Sequence, residues 1–501
     1  MSDQGKLSHH NANPKLFLGI DKACDLVRKF YGPRHNLSSL AFLEERGYSI
    51  LSQTELEDPY ENAGVGFAKA MANKIHKKHF DGTTTGLILL HTILKESYKA
   101  LGEGFSTLKL SQALQKKISQ LLEILNTYSW PIKDAKKVQC LIFTALRSPI
   151  IADDLAEAFA ITGTIGLISI TKNYQLEMQT TQGLKIDFGF TSAYFASDPI
   201  TRTTTILFPR ILILDQKITN IHILLPLLQD ISQRDKHLLI FCEDIDKDVL
   251  ATLIVNKLRG LLQVSVITIP GLSTDKQTLA EDIALFTGTH IYSQNMDLNT
   301  TILGSCSSVE ISETQTTLIG GQHVPEVLTL KVRQLEEEIR TTASLEAKST
   351  LIERMQRLQC SVALLSVKEN TEPLYRLGLT LIASATKHGY IPGGGVALLY
   401  ASLDLGNPKD FPEEERAATY ILQAACKAPL EQLILNANLD SNAIIEKLKT
   451  LATVSMGFNI LSQEIEDLIS GGVLDSLATI STALSCAMDT ALMILSSKTI
   501  E

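Results

Sequence analysis

Residues 81–86 read Asp81-Gly82-Thr83-Thr84-Thr85-Gly86 and run straight into the apolar helical pattern of residues 87–101. A loop that opens a helix leaves the first backbone N–H groups without intrahelical partners, at the positive end of the helix dipole. Three hydroxyls stand at the same point, so the junction suits an anion, phosphate above all. Asp81, just ahead of those donors, offers the hard oxygen that Mg2+ bridging the phosphates would need. The alternative is an ordinary cap, with Asp81 or a threonine closing the N-terminus of a buried helix.

Two more glycine turns repeat the arrangement. Ile391-Pro392-Gly393-Gly394-Gly395-Val396 enters a second helical pattern, and three residues without Cβ let a ligand or a backbone come close. Gly471-Gly472-Val473-Leu474-Asp475-Ser476 enters a third, with Asp475 placed to cap a helix or to accept from a ribose hydroxyl. For either turn alone, a tight connection between packed helices is the simpler account.

The composition sets the frame. At 501 residues, 45% hydrophobic and 20% charged, the chain is of globular type with length for roughly two to four domains. Lys+Arg 46 against Asp+Glu 55 leaves a net charge of −9, which argues against a nucleic-acid partner. The polar opening has no apolar signal core and reads as a loose arm over residues 1–15. Residues 477–495 approach membrane-spanning length but carry Asp489 and five Ser/Thr, so they read as a helix buried in protein, with no membrane partner. Seven scattered cysteines without a CxxC pair point to reduced thiols in a cytoplasmic protein, neither a disulfide frame nor a zinc site. His76 and His79 fit a basic last helical turn better than a metal site.

Along the chain, helical spacing marks residues 16–30, 61–78, 83–101 and 108–128, a bundle-like block. Shorter helices at 135–146 and 153–161 precede a β-like run at 166–171. After Gly183 strands and helices alternate: strand 237–242, helix 247–262, strand 264–269, helix 275–286. A charged helical stretch (327–358) and a strand (362–367) follow, and helices dominate from residue 374. The order is nested, with an α/β insert set into a helical domain made from both chain ends. In helix 247–262 the apolar residues cover an arc of roughly 240°, interrupted only by Lys257. One packed face needs far less, so the helix is buried on two sides or partly offered to a partner. The run 221–231 is similarly broad.

In this order, the pieces resemble a group I chaperonin of the GroEL type. Asp81 to Gly86 is similar to the family's phosphate loop and Pro392 to Leu398 to its second nucleotide loop. Glu55-Leu56-Glu57-Asp58-Pro59-Tyr60-Glu61-Asn62-Ala63-Gly64, Gly32-Pro33, Asn459 and Asp475 match further segments, over about residues 16–495. The resemblance implies a multi-domain α and α/β protein of chaperonin fold. Its helical equatorial ATP-binding domain would take residues 1–124 and 390–501, the intermediate hinge domain 125–182 and 361–389, and the α/β apical polypeptide-binding domain 183–360. It further implies that Gly32, Pro33, Asp81, Gly82, Thr83, Thr84, Thr85, Gly394, Asn459 and Asp475 hold ATP, with Asp81 on Mg2+; K+ is also admitted. In the apical domain Phe190, Tyr194, Phe195, Leu225, Leu228, Leu250, Ile254 and Val255 match the patch for unfolded polypeptide and a co-chaperonin lid. Subunits would form a homo-oligomeric ring or one mixed with a paralogue.

The departures bear on chemistry. Where the family has a hydrolysis-supporting aspartate, this chain reads Glu45-Arg46-Gly47; where it has a second one ahead of the PGGG turn, Leu377 stands. A hydrolytic water needs a carboxylate to orient and deprotonate it. The expectation is a divergent chaperonin-type ATPase with no catalytic acids assigned. It binds polypeptide and Mg-ATP and hydrolyses poorly. The alternatives are a conventional ATP-driven folding chaperonin and a non-catalytic scaffold that uses the apical surface. The family's leading glycine of the phosphate loop is Phe80, its apical hinge glycines are Cys360-Ser361, and the stem-loop and tail that pair neighbouring subunits are shortened, which puts ring assembly in question.

Overall fold

The computed structural model describes residues 12–33, 47–164, 166–171, 178–198, 202–233, 237–274, 276–293, 303–322, 325–368, 370–451 and 453–496. Glu45 and Arg46 lie outside the described residues, and Gly47 is the first residue described after them. The chain folds into two compact units, one built from both chain ends and one from residues 161–171 and 176–365.

The first unit is helical. It begins with α1 (Ala12–Arg28), α2 (Gly47–Gln53), α3 (Pro59–His79), α4 (Thr83–Gly102), α5 (Thr107–Thr127), α6 (Ala135–Leu146) and α7 (Pro149–Thr162). Helix α1 starts inside the stretch read as a loose arm. Helix α3 starts where the sequence dictates: the Asp58 carboxylate accepts from the Tyr60 and Glu61 N–H groups, and Pro59 fills the position that needs no donor. It ends at Phe80, whose φ of 56° is the left-handed conformation that glycine adopts most easily. His76 in its last turn stacks on Tyr48 at 4.0 Å, and the His79 ring is 2.8 Å from the Thr482 hydroxyl. Helix α4 is the core element, with Leu87, Leu89, Leu90, Ile93 and Leu94 all sealed from solvent.

The second unit holds β1 (Leu167–Thr171), β2 (Gln179–Ile186), β3 (Thr204–Leu207), β4 (Arg210–Ile218), α8 (Leu225–Gln233), β5 (His237–Ile245), α9 (Lys247–Leu258), β6 (Gln263–Thr268), α10 (Gln277–Thr287), β7 (Ile291–Tyr292), β8 (Gly304–Ile311), β9 (Thr316–Gly321), α11 (Pro325–Thr341), α12 (Leu345–Leu358) and β10 (Ser361–Ser366). Its strands form one mixed sheet in the order β1-β10-β2-β9-β8-β4-β5-β6, with β3 paired to β8 and β7 to β4. The β4, β5 and β6 strands run parallel and are joined by α8 and α9. Continuous apolar runs such as Leu238 to Cys242 are buried throughout, as parallel strands covered on both faces require. The buried Asp282 of α10 is clasped by Arg354 at 2.9 Å and Arg357 at 3.4 Å from α12, so no lone charge is left in that core.

The chain returns to the first unit with α13 (Glu372–His388), β11 (Tyr390–Pro392), α14 (Val396–Leu403), α15 (Glu413–Asn436), α16 (Ser441–Leu451), β12 (Met456–Asn459), β13 (Glu464–Asp467), β14 (Leu474–Ser476) and α17 (Leu477–Ser496). Helix α17 is the segment of near membrane-spanning length. It packs against α4, burying Ala483, Leu484, Ala487, Met488, Ala491 and Ile494 in the same core.

Candidate functional site

Gly82 caps α4 with φ 81° and no side-chain hydrogen bond closes the helix end. The capping alternative for Asp81 and the threonines is therefore not realised, and the first amides of α4 stay available. Gly82 is also tight against α17: a Cβ there would meet the Thr479 methyl at 2.8 Å. Gly395 caps α14 in the same way, at φ 80° without a side-chain cap. A Cβ on its neighbour Gly394, at φ 67°, would meet nothing within 4 Å, so that residue faces open space.

A short antiparallel ribbon brings the other two turns together. Strand β11 pairs with β14 in the register Ile391↔Asp475, and the Gly393 N–H donates to the Val473 carbonyl at 2.9 Å. Asp475 does not cap α17; the Gly394 N–H donates to its carboxyl instead. Behind the ribbon, Thr144 at the end of α6 donates to the Cys140 carbonyl at 2.9 Å, and its hydroxyl also lies 3.2 Å from the Gly472 carbonyl. Gly472 lies against Cys140, where a Cβ would come within 2.8 Å of the sulfur.

These elements enclose a cavity of about 290 Å3, and nine of the ten residues assigned to nucleotide line it: Gly32, Pro33, Asp81, Gly82, Thr84, Thr85, Gly394, Asn459 and Asp475. Thr83 is outside the lining, half-buried in the first turn of α4. Asn459 is committed to its hairpin, its amide donating to Glu466 at 2.5 Å while its oxygen accepts from the Leu461 N–H at 3.0 Å. The sequence reading missed Tyr31, Thr144, Arg147 and Thr479, which line the same cavity. The Tyr31 hydroxyl lies 3.0 Å from the Thr85 hydroxyl, and the Asn436 amide fixes the loop through the Tyr31 carbonyl at 2.7 Å. Thr479 carries a buried hydroxyl with no protein partner among the described residues. Only Tyr31 had a signal within reach, its place beside Gly32-Pro33.

The electrostatics centre on Asp475. Burial, and then the nearby Asp81 charge, push its carboxyl up to about 7, against the opposing pull of Arg147 and the Gly394 N–H. Among the described lining residues, Asp81 and Asp475 are the carboxylates. Leu377 is sealed in α13, whose packed face meets α6 and α7, and no described residue of α13 lines the cavity. Tyr375, two residues before it, donates to the Asp154 carboxylate of α7.

The eight residues assigned to polypeptide separate in the second unit. Tyr194 and Val255 are exposed, Leu225, Leu250 and Ile254 are half-buried, and Phe190, Phe195 and Leu228 belong to the core. The last three offer no surface in this conformation. Helix α9 ends at Leu258, four residues earlier than its sequence pattern, because Gly260 turns the chain at φ 70°. It buries Val249 and Leu253 on one face and leaves Val255 and Leu258 exposed on the other, with Leu261 exposed just beyond. Lys257 bends inward: its ammonium donates to the Phe195 carbonyl, and burial lowers its pKa.

A family model described as the TCP-1/cpn60 chaperonin family matches residues 41–348 and 369–500. The chain belongs to the TCP-1/cpn60 chaperonin family. Such chaperonins include Chaperonin GroEL 3 of Protochlamydia amoebophila (strain UWE25), 32% identical over 504 residues that cover 96% of this chain and 94% of that one. The chaperonin fold also aligns with crystal structures of the chaperonin gp146 from the bacteriophage EL 2 (Pseudomonas aeruginosa), in two crystal forms. Their TM-scores are 0.59 and 0.61 at 16% identity, over 98% and 97% of this chain and 97% and 96% of theirs. Membership carries a chaperonin-type role in protein folding, and the helical unit with its α/β partner is the family's architecture.

Proposed function

We propose that this chaperonin binds Mg-ATP in the glycine-turn cavity and unfolded polypeptide on the apolar face of its α/β unit, and that it hydrolyses ATP slowly or not at all. One observation carries the nucleotide half: three glycine turns from distant parts of the chain meet at one cavity, where α4 and α14 open without side-chain caps. The residues fit the ligand. Amides of α4 and the Thr84 and Thr85 hydroxyls would hold phosphate, Asp81 would hold Mg2+, and Asp475 would accept from a ribose hydroxyl. The orphaned Thr479 hydroxyl supports an occupant that donates or accepts there. Bound ATP would supply the differential binding energy that shifts a subunit between states. The gp146 chaperonin was crystallised in the presence of ATP-BeFx, which supports the same ligand class here.

Slow hydrolysis rests on the acids. With Asp81 on the metal and Asp475 on the ribose, no described lining carboxylate is left to activate water, and Leu377 and Arg46 stand where the family's acids would be. Polypeptide capture rests on the exposed Tyr194, Val255, Leu258 and Leu261, whose apolar area is gained back on contact with a client. We assign a ring assembly, homo-oligomeric or mixed with a paralogue, a lid partner, and a reducing, cytoplasmic compartment suited to seven free thiols.

Calorimetry with ATP in the presence and absence of Mg2+, followed by phosphate release on the same fractions, tests the nucleotide half. The expected result is saturable Mg2+-dependent binding, lost in Asp81→Asn, with phosphate release near background. Turnover at ordinary chaperonin rates, abolished by Asp81→Ala, would overturn the hydrolysis reading.

A further inference from the structure

Arg147 is the basic residue among the described residues that line the cavity. It follows directly on α6 as the C-cap, with φ 55° and ψ 21°, and its N–H donates to the Phe143 carbonyl at 3.0 Å. That left-handed conformation suits glycine or asparagine; a long side chain is strained there. The guanidinium carbon lies 5.7 Å from the centroid of the Phe143 ring. No carboxylate, carbonyl or hydroxyl among the described residues hydrogen-bonds to the guanidinium, and no ion pair joins it to Asp475. Burial acts to lower its pKa and Asp475 to raise it, and a guanidinium keeps its charge through such shifts.

Its nitrogens are not sealed from solvent, so in the unliganded protein they face water at the cavity wall and are open to a ligand, and backbone strain of this kind collects at ligand sites. The donor fork matches phosphate oxygens in pairs.

We infer that Arg147 binds the polyphosphate chain of the nucleotide, adding a fixed side-chain cation to the amides of α4. The inference rests on the nucleotide reading above and names a residue that reading does not need. Arg147 therefore makes affinity depend on ligand charge: its contribution is largest for ATP, smaller for ADP and AMP, and absent for adenosine. The strained backbone is kept because the ligand fills the donors.

Calorimetric titration of wild type, Arg147→Met and Arg147→Lys with ATP, ADP, AMP and adenosine, in excess Mg2+, tests this. Arg147→Met is expected to weaken ATP about tenfold or more, the effect of removing a charge-assisted hydrogen bond, and to leave adenosine unchanged. Arg147→Lys recovers part of the loss. A second readout separates a binding role from a structural one. Arg147→Gly is expected to raise the unliganded melting temperature by relieving the backbone, while lowering the further rise that ATP produces. Unchanged ATP affinity in Arg147→Met, equal losses for ATP and adenosine, or a lower unliganded melting temperature in Arg147→Gly would each overturn the assignment and leave the nucleotide reading intact. A wild-type protein that binds neither ATP nor ADP overturns both.

Discussion

Asp475 carries the clearest pH signature at the residue scale. Its folded value of about 7 stands above the ordinary 3.8, so the folded state holds a proton that the unfolded chain has released between those limits. Stability from this group is present below about pH 4, falls as pH rises to about 7, and is level above that. Asp475→Asn removes the term: in urea melts from pH 4.5 to 8, its stability relative to wild type should climb with pH and then level off. A constant difference across that range contradicts the assignment. Asp475 stands out in the sequence because it closes a glycine-rich entry to a helix, a position that suits a cap and a ribose ligand alike. The pairing Ile391↔Asp475 decides against the cap, and it joins residues more than eighty positions apart, beyond any local pattern. Arg147 gave no sequence signal at all. Nothing in Ala145-Leu146-Arg147-Ser148 tells that the backbone turns left-handed there beside a glycine pair from another part of the chain.

At the element scale, α9 resolves what its composition left undecided. An apolar arc too wide for one packed face was readable from the sequence, but which residues lay under the sheet was not. The β-sheet covers Val249 and Leu253, the Lys257 ammonium ties down the turn Ala193–Phe195, and the surplus faces outward. Two substitutions on one helix should therefore part company. Leu253→Ala, at a sealed site, should cost about 2–5 kcal/mol in denaturant unfolding. The pair Val255→Ser and Leu258→Ser, 43% and 68% exposed, should change stability by about 0.5 kcal/mol or less each while weakening suppression of aggregation by a denatured client. Unaltered suppression would move the client surface elsewhere. The same logic explains why Phe190, Phe195 and Leu228 are buried in this conformation while Tyr194 and Val255 are exposed. An aromatic or leucine in a family pattern reads alike whether its ring faces a client or the core, and only packing distinguishes them.

At the scale of the whole molecule, the helical unit is one core assembled from opposite ends of the sequence. Helices α1, α3 and α4 share it with α15 and α17, so neither end of the chain can form it alone. Periodicity marked most of these helices, and the glycine turns marked where they open. Long-range partners were not marked, since a buried face does not name what buries it. One consequence of that core concerns sulfur. All seven cysteines are free, and six are buried, leaving Cys140 half-buried against Gly472. A native sample mixed with Ellman's reagent should therefore develop colour in two stages, one equivalent promptly and six only as the fold opens. Because the prompt sulfur touches the wall of the cavity, its rate doubles as a natural gauge of what the cavity contains, with no dye or tag attached.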